Sequence, residues 1–296
     1  AWQAVRQPGS SFKPFVYTAA LLHGLTPETI VEDAPVNFDG WAPKNSDGKF
    51  KGRIPLRQAL QESRNAVAAW LINLVGSDRV VEVAHALGIR EQLTSNLTLA
   101  LGSCEVAPIS MASAYSTLAN GGVYHVPLSV TQVVDHGGDI LTDNRNHPGK
   151  RMLPADIASQ MIQMMMGVVL YGTGTAAYID GVDVAGKTGT TDDSRDAWFV
   201  GFTPEYTLAV WVGNDDHSPM YDVFGGGLPA TLWRRVMGRV VERGISQPRF
   251  AFEASQAQRV KICRDSGFLA TASCPKTREL QIFSGPVPKD ACPLHE

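Results

Sequence analysis

A serine and a lysine three residues apart, Ser10 and Lys13, are the first side chains in the sequence that can do chemistry together. An apolar run follows them, with Pro14 near its start and Gly24 after its end, which predicts a buried helix beginning near Ser10. Both side chains then share one helical face. A neutral lysine can accept the serine proton, and the N–H groups of a helix start can stabilise an oxyanion. The pair predicts a nucleophilic serine, although Ser-x-x-Lys occurs about once by chance in a chain of this length.

A second polar segment, Ser63-Arg64-Asn65, interrupts a helical pattern with residues that compete for backbone hydrogen bonds. A helix cap is the simpler interpretation. The functional interpretation gives the Ser63 hydroxyl the relay of a proton between Lys13 and a leaving amine. The Asn65 amide would hold a lysine or a substrate carbonyl.

A third segment, Lys187-Thr188-Gly189-Thr190, lies in a predicted strand, where glycine normally weakens the structure. Gly189 would allow a backbone or a ligand to approach closely. Lys187 could attract the anionic parts of a substrate, and the hydroxyl of Thr188 or Thr190 could bind a carboxylate. The N–H of Thr190 would complete an oxyanion hole with that of Ser10.

The surrounding elements mix helices and strands. Helical periodicity predicts helices over 56–74, 78–87, 108–119, 155–170 and 230–243. β-Branched and aromatic residues predict strands over 182–190, 197–202 and 207–212, the last two joined as an antiparallel hairpin. A stretch rich in Gly, Pro, Asn and Asp over 33–52 predicts an irregular loop. The pattern predicts the α/β class, of the α+β type.

Composition excludes several kinds of protein. The 296 residues carry a formal net charge of -3, with 44% hydrophobic and 19% charged residues, as in ordinary globular proteins. The sequence has no basic stripe of the kind that nucleic-acid binding requires, so it gives no indication of nucleic acid as a partner. No apolar run approaches the ~18 residues of a membrane span.

Three of the four cysteines, Cys263, Cys274 and Cys292, lie near the C-terminus, and Cys104 stands apart. This distribution predicts a cross-linked tail. Disulfides would place the protein outside the cytosol, whereas these cysteines with the terminal Cys-Pro-Leu-His string could instead hold zinc. We favour a disulfide, because the spacings match no common zinc template.

The order of the three polar segments resembles the signature of penicillin-binding proteins and serine β-lactamases. Longer strings resemble class A penicillin-binding proteins: 6–14, 114–115, 119–122, 172–174, 186–191 and 196–202. The resemblance covers residues 6 to 244. It implies a β-lactamase/transpeptidase-like fold, with an antiparallel sheet flanked by helices plus a helical subdomain.

The resemblance also implies how the protein is divided into domains. Residues 1–245 would form a penicillin-binding transpeptidase domain that lacks its N-terminal strands, and residues 246–296 a Cys-containing extension. The parent protein would carry a membrane anchor and a glycosyltransferase domain in its missing N-terminal part. The domain would work outside the cytoplasm, in contact with the membrane only through that missing part.

The activity implied by the resemblance is the cross-linking of peptidoglycan stem peptides that end in D-Ala-D-Ala. Ser10 would attack the penultimate D-Ala carbonyl, D-Ala would leave, and an amine of a neighbouring stem peptide would resolve the acyl-enzyme. Lys13 would be the acylation base, with Ser63 and Lys187 assisting proton transfer. β-Lactams would acylate the same serine. The resemblance implies no organic cofactor and no metal in the active site.

Three alternatives stay open at this point. A class A β-lactamase would deacylate with a glutamate in a Glu-x-x-Leu-Asn string, which does not occur between Asn65 and Lys187. A DD-carboxypeptidase, which uses water as the acceptor, would have the same motifs. A non-catalytic β-lactam sensor or scaffold is disfavoured, because every motif position is intact.

Overall fold

A computed structural model describes residues 2–244, 247–251, 258–282 and 287–295. The helices in this part of the chain are α1 (Lys13–Leu22), α2 (Leu56–Gln61), α3 (Asn65–Val75), α4 (Ser77–Leu87), α5 (Pro108–Ala119), α6 (Ala155–Tyr171) and α7 (Leu228–Glu242). The strands are β1 (Ile30–Asp33), β2 (Gly52–Pro55), β3 (Val123–Tyr124), β4 (Gln132–Val134), β5 (Ile140–Asp143), β6 (Lys150–Arg151), β7 (Ala185–Thr190), β8 (Asp196–Phe202), β9 (Thr207–Gly213), β10 (Gln258–Cys263) and β11 (Thr277–Ile282). The predicted boundary between residues 245 and 246 lies outside the described residues.

The helix predicted near Ser10 forms in two parts. A 3₁₀ turn covers Gly9–Phe12, and α1 continues from it with Pro14 in its first turn, where a missing N–H costs nothing. All of α1 except Leu22 is buried, and α3, α4 and α6 pack around it. A helix that is apolar on every side belongs in a core, so α1 is the central helix of the molecule.

The three predicted strands form an antiparallel sheet in the order β7-β8-β9. Alternate residues of β8 point to opposite faces. Trp198 and Val200 join the main core, whereas Phe199 packs edge-to-face on Trp233 of α7 with 5.4 Å between ring centroids. Helices therefore cover both faces of the sheet, as the resemblance implied. Strand β7 lies at one side of the described sheet, against the 3₁₀ turn that carries Ser10.

Several boundaries differ from those predicted. The strand expected from residue 182 begins at Ala185, because the N–H of Asp183 donates to Pro248 O at 2.8 Å instead of to a neighbouring strand. The helix expected over 56–74 is two helices, α2 and α3, separated by the segment that contains Ser63. Strands β3 to β6 were not predicted, since they are two to four residues long and mostly exposed. Strands this short and exposed leave no alternating pattern.

The loop predicted over 33–52 is closed at its base by β1 and β2, which pair antiparallel from Ile30↔Pro55 to Asp33↔Gly52. This ladder was also not predicted. Its effect is to place the loop beside the start of α3, next to Asn65.

The C-terminal tail contains an antiparallel hairpin of β10 and β11. All four cysteines are free thiols, so the structure does not bear out the preferred disulfide. Cys263, Cys274 and Cys292 instead lie close to one another and to His295. A disulfide would not require the histidine. Among the described helices, none is both long and apolar enough to cross a bilayer.

Candidate active site

Ser10 and Lys13 are placed by the 3₁₀ turn. Such a turn has about 3 residues per turn, so that side chains at i and i+3 lie directly above one another. Ser10 is half-buried, and within the described chain its hydroxyl has no hydrogen-bond partner. Lys13, one turn on, is fully buried. The turn therefore presents an open hydroxyl next to an enclosed amine.

The Lys13 amine is held by three contacts from the segment between α2 and α3. It donates to Ser63 O at 2.6 Å and to Asn65 Oδ1 at 2.6 Å, and it lies 3.2 Å from Ser63 Oγ. A neutral amine has two protons and one lone pair. The two short contacts can take both protons, which leaves the lone pair free to accept a proton.

Ser63 links two lysines. Its Oγ lies 3.2 Å from Lys13 Nζ and 2.9 Å from Lys187 Nζ, so a chain of polar groups runs from α1 to β7. The backbone of Ser63 has a φ of 59°, in the left-handed region that non-glycine residues adopt only at a cost of order 1 kcal/mol. This conformation turns the chain sharply between α2 and α3.

Burial changes the protonation of both lysines. It lowers the pKa of Lys13 well below its ordinary value, and the positive charges of Lys187 and Arg64 lower it further, against an opposing effect of Asp33. Burial also lowers the pKa of Lys187 to about 7. The amine next to Ser10 can therefore be neutral at a pH where a surface lysine is fully charged.

Strand β7 forms another side of the candidate site. The Lys187 amine donates to Thr188 O at 3.2 Å, and Thr188 Oγ1 lies 2.7 Å from Thr173 Oγ1. Thr190 Oγ1 accepts the N–H of Gly225 at 3.0 Å. These contacts fix the orientation of the hydroxyls predicted to bind a substrate.

Two glycines allow β7 to approach the 3₁₀ turn. A Cβ on Gly189 would lie 2.1 Å from Pro8 O, and one on Gly9, whose φ is 54°, would lie 2.7 Å from Thr190 O. Both distances are shorter than any real contact, so only glycine fits at these positions. The close approach brings the two segments of the predicted oxyanion hole, at Ser10 and Thr190, side by side.

Replacing Gly189 with Ala is therefore expected to push β7 away from Ser10. The new methyl group meets backbone and cannot be accommodated by a side-chain rotation, so we expect a loss of at least ~2 kcal/mol of unfolding free energy. A displacement of ~1 Å would also slow, by about 100-fold, the acylation of Ser10 that the family resemblance implies. Denaturant unfolding and the rate of labelling by a fluorescent penicillin measure the two effects.

Gly238→Ala in α7 is the matched control, since a Cβ there meets nothing within 4 Å. We expect this change to stabilise the protein by ~0.5–1 kcal/mol. Equal effects of the two substitutions would contradict the close-approach argument.

Three residues of the site were not singled out from the sequence. Asn45 Oδ1 accepts the N–H groups of Asn65 (2.7 Å) and Ala66 (3.2 Å), and thus caps α3 from a distant loop. Its Nδ2 donates to Asp33 Oδ1 at 2.8 Å. Arg64, buried, lies 3.4 Å from Asp33 Oδ2 and completes the network. The composition of the loop indicates turns, but nothing in it indicates this long-range cap.

Hydrogen bonds from α5 and from β8 hold the 3₁₀ turn and the residues just before it. Tyr115 of α5 donates its hydroxyl to Ser11 O at 2.6 Å, and the indole N–H of Trp198 donates to Gln7 O at 2.8 Å. Both donors lie in strings that carried the family resemblance. The site is thus built by α1, the α2–α3 segment and β7, and these three bring together all of the predicted residues from Ser10 to Thr190.

This arrangement agrees with comparisons of the sequence. Residues 1–238 match the family described as the penicillin binding protein transpeptidase domain. The chain belongs to the penicillin-binding protein transpeptidase family. The resemblance stated from the sequence motifs is thereby confirmed.

Relatives of this transpeptidase family include two proteins named penicillin-binding protein 1A. The one from Neisseria meningitidis serogroup A is 38% identical over 276 residues, which cover 88% of this chain and 33% of the relative. The one from Pseudomonas aeruginosa is 34% identical over 296 residues, covering 80% of this chain and 36% of the relative. The chain thus spans about a third of the length of these relatives.

Solved structures show the same fold. The PonA1 protein from Mycobacterium tuberculosis, in complex with penicillin V, has a TM-score of 0.79 at 32% identity, over 84% of this chain and 72% of the other. Penicillin-binding protein 1A from Haemophilus influenzae also has a TM-score of 0.79, at 24% identity, over 98% of this chain and 49% of the other. The predicted fold class is confirmed.

Proposed function

We propose that this chain is a peptidoglycan DD-transpeptidase that works through an acyl-enzyme on Ser10. The observation that carries the proposal is the chain of polar groups from buried Lys13 through Ser63 Oγ to Lys187, next to an open serine hydroxyl. The substrate would be a stem peptide ending in D-Ala-D-Ala, as the family resemblance implies.

The first half of the reaction forms the acyl-enzyme. Neutral Lys13 accepts the proton of Ser10 as Oγ attacks the penultimate D-Ala carbonyl, and the N–H groups of Ser10 and Thr190 stabilise the oxyanion. The C–N bond then breaks. The leaving amine of D-Ala takes the proton from Lys13 through the Ser63 hydroxyl, which leaves Lys13 neutral again.

The second half transfers the acyl group. An amine of a neighbouring stem peptide attacks the ester carbonyl and gives up a proton along the same path, and Ser10 leaves as the hydroxyl with that proton. The charge of Lys187 and the hydroxyls of Thr188 and Thr190 would bind the terminal carboxylate of the donor. Asn65, whose Oδ1 accepts from Lys13, keeps the amine in place throughout.

β-Lactams would acylate the same serine, because their strained amide occupies the place of the D-Ala-D-Ala bond. A related structure, that of PonA1, contains penicillin V. We further propose that the parent protein joins this domain to a glycosyltransferase domain and a membrane anchor, and that the domain works outside the cytoplasm, as in the class A proteins it resembles.

The proposal is tested by giving the purified protein a donor peptide ending in D-Ala-D-Ala together with a D-amino acid as the acceptor amine. Mass spectrometry separates the aminolysis product, the hydrolysis product and released D-Ala. We expect the aminolysis product and D-Ala, and none of either after pre-incubation with penicillin.

The other outcomes identify the alternatives. Hydrolysis without aminolysis would make the protein a DD-carboxypeptidase, and rapid turnover of penicillin would make it a β-lactamase. A folded protein that neither releases D-Ala nor retains penicillin would be a non-catalytic scaffold.

A further inference from the structure

The C-terminal tail contains a cluster of four metal-binding side chains, outside the active site. Cys263 ends β10, Cys274 precedes β11, and Cys292 and His295 lie near the C-terminus. Their three Sγ atoms and the imidazole nitrogen all lie within 4.8 Å of one another. In the described chain, no other group of three or more His, Cys, Asp or Glu residues is arranged to hold a metal ion.

The distances agree with tetrahedral zinc. With Zn–S of ~2.3 Å and Zn–N of ~2.0 Å, tetrahedral geometry places S and N ligands about 3.5 Å apart and two S ligands about 3.8 Å apart. His295 Nδ1 lies 3.5 Å from Cys263 Sγ and 3.3 Å from Cys292 Sγ. The cluster thus has the ligand types, the ligand number and the size of a structural zinc site.

We propose that Cys263, Cys274, Cys292 and His295 bind one zinc ion as a closed, structural site. The proposal is independent of the function proposed for Ser10. Four protein ligands leave no position for water or substrate, as in structural rather than catalytic zinc sites. A disulfide would use only two of the three thiols and would give the imidazole no role.

The surroundings of the sulfur atoms support a charged thiolate site. Ser266 donates its hydroxyl to Cys292 Sγ at 3.1 Å, and Thr271 donates its N–H to Cys274 Sγ at 3.3 Å. Donors directed at two of the three sulfur atoms stabilise the thiolates that a metal requires.

Apolar packing shields the cluster from water. Cys263 and Cys292 are buried together with Phe268, and Ile30 of β1 packs against them from the main body. A metal ion in this position would join the end of β10, the segment that leads into β11 and residues 292–295.

The loop between Cys263 and Cys274 is docked on α2. Arg57 donates to Gly267 O at 2.6 Å, and Gln58 donates to Asp265 O at 3.1 Å. Arg57 is itself paired with Glu28 at 2.6 Å. Since α2 ends at Gln61, just before Ser63, a metal that fixes this loop would also support the helix leading to the active site.

Metal analysis of the purified chain tests the proposal. The protein is prepared with reductant and without chelator, its zinc is measured by mass spectrometry, and the zinc is then exchanged for Co²⁺. We expect one zinc per chain. The Co²⁺ form should show the visible ligand-field bands of a tetrahedral site and thiolate charge-transfer bands in the near ultraviolet.

Variants assign the ligands. Cys292→Ser is expected to lower the zinc content to below ~0.1 per chain, and His295→Ala, near the chain end, provides a second test if the first variant does not fold. Cys104→Ser is the matched control and should keep the full zinc content, because Cys104 packs on the main core.

Thiol counting on a second sample, purified and denatured without reductant, gives the contrary results. Zinc-free protein with two free thiols would show a disulfide and overturn the proposal. Zinc-free protein with four free thiols, which still binds no Co²⁺ on titration, would overturn it equally.

Discussion

Replacing Ser10 with Ala is expected to abolish the covalent penicillin adduct and to lower transpeptidation by at least ~10⁴-fold. The reason is that the proposed reaction passes through an ester on this hydroxyl. The Ser10 side chain makes no hydrogen bond in the described structure, so the free energy of unfolding should change by less than ~0.5 kcal/mol. Intact mass after incubation with penicillin measures the adduct, and thermal unfolding measures stability.

Ser116→Ala is the matched control, because the Ser116 side chain is exposed on α5. This variant should form the adduct at the rate of the unmodified protein. A full adduct on folded Ser10→Ala protein would show that another residue is the nucleophile, and peptide mapping would identify it.

Replacing Lys13 with Met, which keeps the shape of the side chain and removes the amine, is expected to slow acylation by about 10³-fold. Methionine cannot accept the Ser10 proton, and it leaves the contacts to Ser63 O and Asn65 Oδ1 unmade. The measurement is the second-order rate constant for acylation by a fluorescent penicillin. Stability is measured in parallel, because the vacated acceptors have a cost of their own.

Lys150→Met is the control, since Lys150 is exposed on β6. It should acylate normally. A Lys13→Met protein that acylates within tenfold of the unmodified rate would falsify the assignment of Lys13 as the base.

The pH dependence of the acylation rate is a second test of Lys13 as the base. Only neutral Lys13 can accept a proton, so the acylation rate should fall as pH falls through the pKa of Lys13 in the folded protein. Burial and the positive charge of Lys187 lower that pKa, and the falling limb should therefore lie well below the ordinary lysine value of ~10.4. A rate that rises only above pH ~10 would show that Lys13 titrates as a surface lysine.

The local features of this protein were readable from its sequence. The apolar run after Ser10, the β-branched run up to Phe202 and the amphipathic α7 predicted their elements, because periodicity and propensity act over neighbouring residues. The three polar segments, recognised by type and order, predicted the family and contain the residues around Ser10 that the sequence singled out. Asn45 and Asp33, which complete the network, were not predicted. The exposed strands β3 to β6 were not predicted, because their pairing is not reflected in the pattern of side chains.

Contacts between distant residues were decided only by the tertiary structure. The Ser63 hydroxyl meets Lys13 across 50 residues of chain and Lys187 across 124, and Asn45 caps α3 from a loop whose composition indicates only turns. The tertiary structure also decided the arrangement of the tail, where three free thiols lie close to His295 and form no disulfide.

The physical reason is common to these cases. Residue types and short spacings determine which groups are available and which local element carries them. Whether two such groups meet, at what distance and how far from water, depends on packing, and packing also sets the pKa of the lysines. The sequence thus determined the chemistry that this protein can do, and the fold decided the arrangement that makes a buried amine, an open serine and a cluster of four ligands.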